Sequence, residues 1–259
     1  MKKVILATGV LALSVLAFTS CLTVNAKKTV AAPYVPEDDG QGDIEATIEK
    51  SALVYYSTTS VPEIDGNFDE WAGLEGVHSR RVVYGGKFNS TNADGFFVCR
   101  TDGNNLYVYA KVTDNDPTEN TYEIPQAWRG DGVEFFFGTE TGNHTTFKDS
   151  DVRVRIAPRS KTDKFAVGVG LNDSEIKSSD IEVAAVYNST GYQVEGKFPL
   201  DVFGGKTLKL NQKIRADFQV NDADKGKERT VLLHWNSPND NTYADPSSWG
   251  NGKVVALPE

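Results

Sequence analysis

The sequence predicts an all-β fold, a two-sheet antiparallel β-sandwich of the jelly-roll or immunoglobulin-like kind. Three observations carry this. Beyond residue 50, no stretch repeats apolar residues at the 3.6-residue spacing that lets a helix bury one face. Short segments rich in β-branched and aromatic residues instead follow one another, separated by Gly, Asn, Asp and Pro. Within residues 106–112 the alternation is strict, so Leu106, Val108, Ala110 and Val112 fall on one face of a strand packed on one side.

In chain order, residues 1–20 come first, with Met1, Lys2 and Lys3 ahead of an apolar run that ends near Phe18. This pattern is an export signal, too short for a comfortable bilayer span. The run closes on Phe18-Thr19-Ser20-Cys21, which resembles a lipobox and makes Cys21 the expected lipidation site. Val24-Asn25-Ala26 offers an ordinary cleavage site instead. The chain is thus expected to be exported, as a bacterial envelope or surface lipoprotein or as a secreted protein. Residues 21–50 turn to Ala, Thr, Lys, Pro and acidic residues, the composition of a flexible tether.

Residues 51–259 form the expected domain. Its strand candidates are 52–57, 95–101, 106–114, 132–138, 152–157, 165–171, 181–187, 191–199, 214–221 and 229–235. Asp102-Gly103-Asn104-Asn105 and Asn188-Ser189-Thr190-Gly191 have the composition of hairpin turns.

Bulk chemistry narrows the function classes. The formal charge is −9, falling to −11 when Lys2 and Lys3 leave with the signal, so nucleic acid and anionic lipid surfaces are poor partners. Cys21 and Cys99 are the only cysteines, which excludes a disulfide framework or a cysteine metal site; Cys99 follows Phe96-Phe97-Val98 and is expected as a buried strand thiol. No G-x-S-x-G is present, and His78, His144 and His234 have no metal-type spacing. Asp131 and Glu134 stand an odd number of residues apart, so on one strand they point to opposite faces and cannot flank one glycosidic bond. The segments 114–116 and 221–224 are oxygen-rich loop ends that match no EF-hand spacing; structural calcium and plain Asx turns both remain open there, and no cofactor is required.

Four segments stand out: 64–71, 128–135, 152–156 and 235–250. Trp71 and Trp235 adjoin apolar core candidates and are expected to pack. Trp128 lies in a Pro- and Gln-containing connection where a large ring is harder to bury. Arg153 and Arg155 share one strand face, and Glu134 meets them if its strand joins the same sheet; a guanidinium paired with a carboxylate is a rigid fork that can also donate to vicinal hydroxyls.

Taken together and in order, these cues resemble the family 9 carbohydrate-binding modules, first known as appendages of xylanases. They are I-D-G-x-x-D-E-W at Ile64–Trp71, Asn105-Leu106-Tyr107-Val108, W-x-x-D-x-V-E-x-F from Trp128, the Arg153-Val154 strand, Gly191-Tyr192-Gln193-Val194-Glu195, Phe218-Gln219-Val220-Asn221-Asp222 and Asp245-Pro246-Ser247. The resemblance implies a β-sandwich in which two aromatic rings hold a terminal sugar. Those positions fall on Trp128 and Tyr243, the hydrogen-bonding carboxylate on Glu134 and the arginine on Arg153, with Arg155 beside it. An asparagine of the pattern falls on Asp240, with Asn241 adjacent. Tyr243 stands where the family usually has Trp.

The expected function is therefore noncatalytic binding of the reducing end of cellulose, xylan or their fragments, in support of glycoside hydrolases carried on other chains. A pyranose presents apolar C–H faces and a rim of hydroxyls, which suits two rings with polar groups between them. Three alternatives stand beside it. One is a hydrolase, for which a catalytic barrel needs about 200–250 further residues. Another is a haem-carrying sandwich, whose ligands would fall among three histidines because Met1 is the only methionine. The last is a surface lipoprotein whose sugar site has degenerated at Tyr243 and Asp240.

Overall fold

The computed structural model describes residues 51–203, 207–226 and 228–258. The expected signal, tether and Cys21 lie outside them. Among the described residues fourteen strands form: β1 (Ala52–Tyr56), β2 (Val77–Ser79), β3 (Arg81–Tyr84), β4 (Ala93–Thr101), β5 (Asn105–Asp114), β6 (Gly132–Gly138) and β7 (Asp151–Pro158), then β8 (Val167–Leu171), β9 (Ser174–Glu175), β10 (Glu182–Asn188), β11 (Gly191–Pro199), β12 (Lys213–Asp222), β13 (Val231–His234) and β14 (Gly250–Ala256). Every strand expected from sequence is present, with ends shifted by no more than two residues. The others, β2, β3, β9 and β14, are too short or too glycine-rich to show alternation.

Hydrogen bonding joins the strands in the order β10-β11-β5-β4-β1-β14-β12-β6-β7-β8-β9, with β2 on β4, β13 on β12 and β3 on β13. Two separate antiparallel sheets were expected; one curled, mixed sheet is found. The joint is β1, which runs parallel to β4 on one side and to β14 on the other. Alternation specifies which face of a strand is buried but not which strand lies beside it, so the parallel joint left no mark in the pattern.

The two halves of the sheet close on a shared core. Phe97 of β4 meets Phe135 of β6 edge-on at 5.4 Å and stacks on Phe218 of β12 at 5.1 Å. Leu106, Val108, Ala110 and Val112 all face this core, as their alternation requires. Each such ring contributes roughly 2–3 kcal/mol by leaving water. Cys99 is buried there too, and burial pushes its thiol up to about 12, which leaves it unreactive. Trp235 also packs in this core.

The outer face of β4, β5 and β11 is covered by residues 64–71. Trp71 stacks on Tyr109 at 5.4 Å, and its indole Nε1 donates to Glu195 at 3.0 Å. The backbone amides of Asp65 and Gly66 donate to the same carboxylate, at 2.9 and 2.6 Å. Gly66 sits at φ +79°, a conformation that side chains resist. The I-D-G-x-x-D-E-W motif is thus a clasp on this face. Burial, then the charge of Glu70, pushes Glu195 up to about 7 despite its donors.

Candidate functional site

The opposite outer face, on β13, β12, β6, β7 and β8, is built by register. Inward positions of β6, β7 and β12 are apolar: Val133, Phe135, Val154, Ile156, Phe218 and Val220 all join the core. The residues between them must point the other way. Pairing aligns His234, Gln219, Glu134, Arg155 and Gly170 in one row across five strands. These outward side chains are nevertheless buried, because a 310 helix (Ile124–Arg129) and residues 236–249 cover the sheet.

Glu134, 1% exposed, is the hub. It accepts from Arg155 Nε at 2.9 Å, Gln219 Nε2 at 3.2 Å and Asn221 Nδ2 at 3.1 Å, and Arg153 Nε lies 3.5 Å away. Burial alone would raise its pKa; the charges of Arg155 and Arg153, aided by hydrogen bonds, outweigh this and hold the carboxyl below its usual range. Asp173 joins both guanidiniums from the β8–β9 turn, at 3.2 Å to Arg155 Nη1 and in a closer pair with Arg153. Asn172 and Asp173 both have positive φ, 45° and 70°, the two-residue turn chemistry that Asn and Asp tolerate. Burial opposes ionisation of Asp173 as well, but Arg153 and Arg155 lower its pKa.

Over this floor opens a cavity of about 350 Å³, lined by Trp128, Tyr243 and the charged groups beneath them. Trp128, expected in an irregular loop, is carried by the 310 helix, whose Ile124 and Ala127 are buried while the indole is only half-buried. The guanidinium of Arg229 lies 4.9 Å from the Trp128 ring centre, and that of Arg153 lies 5.9 Å from the Tyr243 ring centre. Tyr243 is 54% exposed. Its loop is pinned at both ends: Asp217 accepts from the amides of Asn236 and Ser237, and Trp249 Nε1 donates to the carbonyl of Thr242.

Trp128, Tyr243, Glu134, Arg153, Arg155 and Asp240 therefore line one cavity. Asn241 is not among the lining residues. It is exposed, and its carbonyl accepts from Ala244 and Asp245 to shape the turn. Pro125, Asp173, Gln219 and Arg229 line the cavity without having been expected. Gln219 was legible, since it alternates with the core residues Phe218 and Val220. Asp173 comes from a turn, where no period points a side chain anywhere, and Arg229, inside the strand expected at 229–235, lies in the irregular connection just ahead of β13.

A second polar centre lies beside the first. Asp114, Asp131 and Asp222 are buried, with carboxylate oxygens all within 4.8 Å of one another. Burial first, then the charges of neighbouring aspartates, pushes Asp131 up to about 7 and Asp222 to about 8; Asp114 is raised chiefly by burial, with the charges of Asp224 and Asp116 adding to it. The hydroxyl of Tyr192 is buried without a partner, and Asp131 and Asp114 add to the burial that raises its pKa well above the usual value. An all-oxygen set with surplus negative charge suits a hard cation such as calcium. Of the two segments expected from sequence, only Asp114 and Asp222 take part. Asp116 instead accepts from the amide of Lys225, and Asp224 from Thr230. Each histidine is bonded to a carboxylate: His78 to Asp94, His144 to Asp151 and His234 to Asp217.

Residues 64–256 match the family model described as carbohydrate family 9 binding domain-like. The chain belongs to this family. Among curated proteins it is similar to endo-1,4-β-xylanase A of Thermotoga neapolitana, 29% identical over 80% of this chain, and to exoglucanase XynX of Acetivibrio thermocellus, 29% identical over 84%. The match spans only 18% of each of those proteins. Among solved structures, a family 9 carbohydrate-binding module from Caldicellulosiruptor kristjanssonii in complex with glucose superposes with a TM-score of 0.63 at 22% identity. It covers 81% of this chain and 98% of its own. The same module in complex with cellotriose gives 0.64 at 22%, covering 81% and 96%. At this identity the superposition establishes the shared fold alone.

Proposed function

We propose that this chain is a noncatalytic module, displayed outside the cell, that holds the end of a β-linked polysaccharide such as cellulose or xylan between Trp128 and Tyr243. The cavity that places both rings above Glu134, Arg153 and Arg155 carries this reading. Its rings match the apolar faces of a pyranose, and the charged floor matches the hydroxyl rim. The charges also balance: Arg153, Arg155 and Arg229 face Glu134, Asp173 and Asp240, so a neutral ligand fits although the chain carries −9 overall. Glu134 and Asp173 are held ionised by their arginines, whereas a glycosidase needs a carboxyl with a raised pKa to protonate the leaving oxygen. Xylanases and glucanases on separate chains are the natural partners, since the related regions form part of such enzymes. Calcium at Asp114, Asp131 and Asp222 would neutralise that cluster and fix the loops it joins.

Calorimetry with cellobiose, xylobiose and their borohydride-reduced forms tests the proposal. Binding is expected in the micromolar to millimolar range, at least tenfold weaker for the reduced sugars, about 1.4 kcal/mol. Equal affinity for native and reduced forms refutes end recognition. Absence of binding to any glycan refutes the reading as a whole.

A further inference from the structure

We infer that Tyr84 forms a further sugar subsite outside the cavity, so that the module grips a chain longer than the unit held between Trp128 and Tyr243. This rests on the carbohydrate reading of the cavity. It starts from an irregularity in β3. Val82 pairs with Leu233, and both face the core. Two residues along a regular strand, Tyr84 would share that face. The register slips between Leu232 and Leu233, and Val83 is the extra residue of a bulge. Tyr84 consequently pairs with Leu232, which itself pairs with Asn221, on the cavity side of the sheet.

The bulge thus turns a tyrosine that would have been core toward the binding face, where it is 55% exposed. Burying that ring in the core would have been the more stabilising arrangement, so its exposure calls for a use. Its position is fixed. The next residue, Gly85, has φ +102° and runs so close to β13 that a Cβ there would lie 2.1 Å from the carbonyl of Thr230. Arg229 connects it to the cavity: its guanidinium lies 5.8 Å from the Tyr84 ring centre and 4.9 Å from that of Trp128. Arg229 also lines the cavity and donates to Asn221 at 3.1 Å and Asp240 at 2.8 Å. Tyr84, Arg229 and Trp128 therefore run in series from the rim inward. A rigid, exposed phenol ring in that line suits the apolar face of a second or third pyranose, with Arg229 in reach of hydroxyls between them.

The experiment titrates wild type, Tyr84→Ala and Tyr84→Phe with cellobiose and cellotetraose by calorimetry, with thermal melts to establish that each variant is folded. Wild type is expected to bind the tetraose at least fivefold more tightly than the disaccharide. Tyr84→Ala should lose that gain and keep the disaccharide affinity, because Arg229 retains Asn221, Asp240 and Trp128. Tyr84→Phe keeps the ring and should keep the gain. Wild type binding both sugars equally, or Tyr84→Ala keeping the length dependence or weakening both sugars alike, overturns the subsite while the cavity proposal survives. No binding of either sugar to wild type overturns both.

Discussion

Replacing Glu134 with Gln tests whether the floor of the cavity is an electrostatic unit. The substitution keeps shape and one acceptor oxygen but removes the charge that Arg155 and Arg153 face at 2.9 and 3.5 Å. Both guanidiniums are buried, so their uncompensated charge cannot be screened by water. Removing one partner of such a pair costs about 3–5 kcal/mol. Asp173 stays bonded to both arginines, and because its side chain is 52% exposed it offsets only part of the loss. The expected destabilisation is therefore near the lower bound, about 3 kcal/mol. Urea unfolding followed by tryptophan fluorescence measures it, with an unchanged denaturant slope showing that the transition is the same one. Adding Arg155→Met to Glu134→Gln should recover stability by removing one of the stranded charges. A loss below about 1 kcal/mol for Glu134→Gln, or a double variant less stable than the single, would refute the reasoning.

Trp128→Ala should abolish glycan binding in calorimetry while stability changes by no more than about 1 kcal/mol, since the ring is half-buried. Cys21→Ala should release the protein from membranes into the soluble fraction of detergent partitioning. Calcium in hundredfold excess over its Kd should stabilise by about 2.7 kcal/mol, and EDTA should lower Tm by roughly 5–10 °C in a thermal scan; Asp131→Asn should remove this response. Glu195 gives a pH prediction. Its folded pKa of about 7 exceeds the ordinary carboxylate value, so its contribution to stability is complete below about pH 4 and is lost as pH rises through 7. Glu195→Gln should flatten the fall in unfolding free energy between pH 5 and 8; parallel curves for the two proteins would exclude the carboxylate as its source.

What the sequence disclosed and what it withheld follow from period and distance. Leu106–Val112 declared its buried face because every second residue had to be apolar, and the same rule put Glu134, Arg153 and Arg155 together once β6 and β7 paired. The aromatic positions needed the ordered motifs, since nothing in the spacing of Trp128 and Tyr243 brings them together across more than a hundred residues. Asp173 was missed because turns have no repeat from which to infer direction, and Arg229 because it falls just ahead of β13, outside the alternation of the strand expected at 229–235. Tyr84 was hidden more deeply. A bulge inverts alternation, and only the pairing register reveals it. The aspartate cluster was half legible: Asp114 and Asp222 close strands β5 and β12, but Asp131 sits just ahead of β6 and joins them only in three dimensions.

The parallel joint at β1 bears on how this chain folds. Ala52 pairs with Gly252, so the earliest described strand finds one neighbour in β4 and the other only in the last described strand. The halves on either side are interleaved in sequence, since β6–β9 fall between β5 and β10. Neither half is a continuous stretch that can close early and wait. Such topology has a high contact order, which places folding in the millisecond to second range, where loop-closure entropy is met before distant contacts compensate. Outside contacts must therefore be avoided until β14 is available, and amide exchange at the β1–β14 seam should report the global unfolding of the domain.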